Sequence, residues 1–111
     1  MDTERRKAAL AAYKQRKVAR GIYAMRCAQA DAVWVGASRD LDKAENRLRF
    51  MMRHDRRLDP VLRAAYHAHG EKAFSFEVLE RLDDDIATVS IGRILKEKHQ
   101  DWLSRLNARK I

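Results

Sequence analysis

Gly21-Ile22-Tyr23-Ala24-Met25-Arg26-Cys27 and, after a short gap, Ala32-Val33-Trp34-Val35-Gly36 decide the fold. Both runs are β-prone, and the gap suits a hairpin. A two-residue turn would need Ala28 and Gln29 at positive φ, which neither favours, so Ala28 to Asp31 form the expected loop. That loop pairs Tyr23 with Gly36 and Met25 with Trp34. Side chains alternate along a strand, so Tyr23, Trp34 and Gly36 share one face, while Ile22, Val33 and Val35 share the other. The glycine opposite Tyr23 leaves space beside the ring for a substrate.

Helices are expected around the hairpin. Asp2 or Thr3 caps a helix running to about Val18, rich in alanine and flanked by Lys7, Lys14, Arg16, Lys17 and Arg20. Ser38 or Asp40 caps a second helix to about Arg53, with Leu41, Ala44, Leu48, Met51 and Met52 as its buried stripe. Asp59-Pro60 opens a third, which Gly70 ends. Phe74, Phe76 and Val78 alternate with Ser75 and Glu77 in a third strand. Ile91, Leu95, Trp102 and Leu106 recur at helical spacing in the last helix, with Gly92 a weak point inside it. The predicted fold class is α+β: a small three-stranded antiparallel sheet flanked by helices, with residues 1–19 as an extra basic helix and 20–111 as the domain.

The chain has 111 residues, enough for one modest core, and carries 24 Lys+Arg against 16 acids. The net charge of +8 favours a polyanionic partner, and DNA is the expected one. Cys27 is the only cysteine, which excludes an internal disulfide and a cysteine zinc site. No apolar run approaches a membrane span and the amino terminus lacks a signal-peptide pattern, so no membrane role and a cytoplasmic location are expected.

The ordered series Gly21-Ile22-Tyr23, Trp34-Val35-Gly36, Ala37-Ser38-Arg39-Asp40-Leu41, Leu62-Arg63-Ala64-Ala65-Tyr66, His69-Gly70 and Phe74-Ser75-Phe76-Glu77-Val78-Leu79-Glu80 resembles the GIY-YIG nuclease family over about residues 20–106. The resemblance implies a DNA endonuclease that hydrolyses phosphodiester bonds with one divalent metal, Mg²⁺ or Mn²⁺. Carried over, Tyr23 would deprotonate or position the attacking water, Arg47 would clamp the phosphate, and Gly36 would provide room. Trp34 stands where the family has a second tyrosine. Its indole can donate but cannot ionise, so stacking on a base or sugar is the role left to it. Arg47 lies one helical turn beyond the family's arginine position, which Ala44 occupies, so Arg39 and Arg49 are alternatives. The metal carboxylate is expected at Glu97. His99 falls on the matched position and is the alternative, although Mg²⁺ prefers oxygen. Glu97 itself points about 140° from the apolar stripe.

Arg39, Arg49, Arg53, His54 and Arg57 complete the expected nucleic-acid surface. The chief alternative function is a weakened or inactive domain of this type that binds nucleic acid without cutting it. A third is a protein-interaction domain docking through the first helix. A protein partner that supplies specificity is a further expectation for a chain this short.

Overall fold

The computed structural model describes residues 18–54 and 58–111. The expected amino-terminal helix, apart from its last residue, lies outside the described residues, as do Arg56 and Arg57. The elements are β1 (Gly21–Cys27), β2 (Ala32–Ser38), α1 (Leu41–His54), α2 (Pro60–His69), β3 (Phe74–Arg81), α3 (Thr88–Leu106) and β4 (Arg109–Lys110), with single 3₁₀ turns at Ala28–Ala30 and Glu71–Ala73.

The hairpin has the expected register, Tyr23 opposite Gly36 and Met25 opposite Trp34. Its loop is the 3₁₀ turn closed by Asp31 at φ 49°, a left-handed position that aspartate tolerates. Strand order is β3-β1-β2-β4. The sheet is mixed rather than wholly antiparallel, because β4 adds to β2 in parallel. A two-residue strand is too short to leave a periodic trace in sequence. A register shift between Ile22 and Tyr23 puts a bulge where β1 meets β3. The backbones come so close there that a Cβ on Gly21 would collide with the Glu80 carbonyl oxygen.

The sheet divides two cores. Tyr23, Met25 and Trp34 pack with Leu41, Ala44, Leu48 and Met52 of α1, Leu62 and Ala65 of α2, and Phe74. Ile22, Ala24 and Val35 pack with Leu82 and with Ile91 and Leu95 of α3 on the other side. The period of the α1 stripe matches this burial, with Met51 partly covered. In α2 the caps hold: Asp59 accepts from Leu62 N at 3.2 Å and Gly70 N donates to Tyr66 O at 2.9 Å. Its expected apolar face is narrower than predicted, since Val61 and His69 are exposed. None of the described helices is long and apolar enough to cross a membrane.

Candidate active site

Tyr23 projects from the centre of β1 toward the α1 side of the sheet. Its ring is 7% exposed and stacks on Phe76 with centroids 5.2 Å apart. The ring leans across β2, so that a Cβ on Gly36 would fall 2.5 Å from Cζ. The space opposite Tyr23 is therefore filled by the phenol itself and not left for a substrate. Gly36 admits the tyrosine. The hydroxyl forms no hydrogen bond among the described residues, where Arg20 Nε alone is a sealed side-chain polar atom without a partner.

Burial raises the Tyr23 pKa above its ordinary 10.0, and the positive charge of Arg47 pulls it partly back. The phenol is therefore neutral near pH 7 and has a proton to donate. Arg47 is exposed on α1 and lines an open groove of about 530 Å³ with Arg39, Asp40, Lys43, Ala44 and Asn46. Lys43 and Asn46 were not singled out from sequence. Lys43 lies four residues before Arg47, so the helical period places both on one face and could have found it. A slightly larger depression, about 570 Å³, lies at the other end of the sheet. Its cations are already committed, Arg26 to Glu77 and Arg109 to Asp59, whereas in the groove Lys43 has Asp40 at 4.0 Å but Arg39 and Arg47 hold no carboxylate among the described residues, so the groove beside Arg47 is the better anion site.

The other predicted residues separate by what they touch. Trp34 has no exposed surface. Its Nε1 donates to Asp59 Oδ2 at 3.0 Å, and its ring lies 5.9 Å from that of Phe74. An enclosed ring cannot stack on a base, so the expected contact with nucleic acid has no surface to act through. Arg49 donates to Glu45 at 3.0 Å and to the carbonyls of Glu71 and Phe74 at 3.2 and 3.0 Å, a bridge between α1 and the start of β3. Arg53 pairs with Glu71 at 2.9 Å and His54 lies over Phe50 at 4.6 Å, both on the exposed end of α1 away from the groove lining.

Asp59 is a junction that sequence reading saw only as a helix cap. Besides Leu62 N and Trp34, it holds Arg109 with bonds of 2.9 and 3.0 Å. Its pKa falls to about 2, chiefly through Arg109, with Trp34 and Leu62 adding to it against the cost of burial.

The residues on α3 do not fit the divalent metal that the resemblance implies. Glu97 is exposed and pairs with Arg93 at 3.0 Å. His99 is buried, with Nε2 2.7 Å from Val35 O, so that ring nitrogen clasps α3 to β2. No group of three His, Cys, Asp or Glu side chains among the described residues could hold a metal ion.

Comparison with solved structures brings the catalytic domain of the intron endonuclease I-TevI, in a mutant form, at a TM-score of 0.68 and 21% identity, covering 81% of this chain and 86% of that one. A second structure, the catalytic domain of the homing endonuclease I-TevI, matches at a TM-score of 0.63 and 22% identity, covering 83% and 97%. The chain has the GIY-YIG nuclease fold. At this identity the likeness is one of fold. No protein-family model and no curated protein matches the sequence. Within the GIY-YIG fold, Tyr23 and Gly36 sit on the adjacent central strands and Arg47 on the helix that follows them.

Proposed function

We propose that this domain seats a DNA phosphodiester in the groove beside Arg47 and hydrolyses it as an endonuclease. The observation that carries the reading is the buried, neutral Tyr23 phenol, within electrostatic reach of the Arg47 guanidinium that lines the groove. A guanidinium offers a planar fork to phosphate oxygens and offsets charge that builds during attack. The phenol supplies a hydrogen bond that holds a water in line with the phosphorus. Water then forms the new P–O bond and gives up a proton to solvent, while the bond to the departing sugar oxygen breaks and that oxygen takes up a proton from solvent. Lys43 and Arg39 line the same groove and favour the polyanion. Nicking of supercoiled and branched DNA, with Mg²⁺ or Mn²⁺ present, tests this. Cleavage by wild type that falls in Tyr23→Phe and Arg47→Ala supports it. Equal activity in all three removes it.

A second reading is DNA binding without cleavage. The engagement of His99 with Val35 O, and the turning of Glu97 to solvent, favour it. Binding would then weaken steeply with salt and be indifferent to chelator. Cleavage that depends on added metal would rule this second reading out.

A further inference from the structure

Gly92 stands in the exposed interior of α3, where alanine is the better helix former. Its backbone is ordinary helix, so conformation does not require a glycine. What stands over it is Arg39, from the turn between β2 and α1: a Cβ on Gly92 would lie 3.1 Å from Arg39 Nη2. Arg39 also lines the groove that holds Arg47. It forms no hydrogen bond or ion pair among the described residues, whereas Arg49, Arg53, Arg93, Arg105 and Arg109 each hold a carboxylate. An arginine without a carboxylate keeps its charge available, and a side chain whose tip already rests beside a helix loses less freedom when it binds.

We infer that Gly92 is a positioning residue: the bare turn of α3 is the seat that holds the Arg39 guanidinium beside the groove, where Arg39 contacts a second phosphate of the strand that Arg47 grips. The inference rests on the reading of this groove as the DNA site. It links the two sides of the fold, since Arg39 leaves β2 and comes to rest on α3. A methyl group on Gly92 pushes the guanidinium aside by a few tenths of an ångström or more, because the atom it meets is the movable end of a long side chain.

The test is affinity for a fluorescent DNA duplex, by anisotropy over a KCl series, with thermal melting in parallel. Arg39→Ala should weaken binding roughly tenfold and make the log–log salt dependence shallower by about one unit. Gly92→Ala should raise Tm by about 4 °C and still weaken binding by roughly threefold. In the Arg39→Ala background it should add nothing. Gly92→Ser supplies a second variant for the same cycle, should the alanine form melt below wild type. Unchanged affinity in both Gly92 variants, or an equal loss with and without Arg39, overturns the inference. If Arg47→Ala weakens binding in that case, the DNA reading stands without the seat. If neither Arg47→Ala nor Arg39→Ala affects binding, the DNA reading fails and the inference fails with it.

Discussion

The phenol of Tyr23 occupies the volume in which a side chain at Gly36 would begin. The two residues are paired across the hairpin, so the smallest residue on β2 faces the residue on β1 that must lean across it. Gly36→Ala should therefore lower stability by about 1–3 kcal/mol, the usual cost of overpacking. Chemical denaturation measures that loss, and the displaced ring should reduce DNA cleavage or binding as well.

Tyr23→Phe should leave folding nearly intact, because the lost hydroxyl bonds nothing among the described residues. Cleavage should fall by about a hundredfold, the scale of a lost proton-transfer or water-positioning group. Denaturation curves and a nicking assay on one preparation separate the two effects.

The raised pKa of Tyr23 gives a signed expectation at high pH. The folded state holds the phenolic proton more firmly than the unfolded chain, so this contribution to stability is full below pH 10.0 and is lost as pH rises through the higher folded value. Arg47→Ala removes the charge that lowers this pKa. Ultraviolet titration of the phenolate should then show Tyr23 ionising at still higher pH.

Asp59 gives the opposite sign. Its carboxyl titrates at about 2 against an ordinary 3.8, so its contribution is full above pH 3.8 and disappears as pH falls through about 2. Linkage puts that contribution on the order of 2 kcal/mol. Asp59→Asn should flatten the acid limb of a stability–pH curve measured in denaturant.

Arg47 and Arg49 should behave differently although they are two residues apart. Arg49→Ala cuts a bridge from α1 to the carbonyls of Glu71 and Phe74 and should cost about 1–3 kcal/mol. Arg47→Ala should leave Tm nearly unchanged and reduce DNA affinity, read by melting and by anisotropy.

The hairpin was legible because loop chemistry and strand alternation are local rules: the Ala28–Asp31 connection allows one register, and that register puts Tyr23 on Gly36. The α1 stripe and the Asp59-Pro60 start of α2 were legible for the same reason. Trp34 was not, since its partner Asp59 lies 25 residues away and no period links them. Arg49 is expected on the nucleic-acid surface because it lies off the apolar stripe of α1, yet its length carries the guanidinium to the entrance of β3. His99 is offered by its matched position as a metal ligand, but its bond to a backbone carbonyl of β2 has no trace in sequence.

The sheet acts as a partition with a separate chamber on each side, one roofed by α1 and α2 and the other by α3. Substitutions in distant chambers should combine by simple addition. The floor of α3 could then be rebuilt for thermal robustness while the tyrosine chamber is tuned for chemistry, provided Gly92 is left bare.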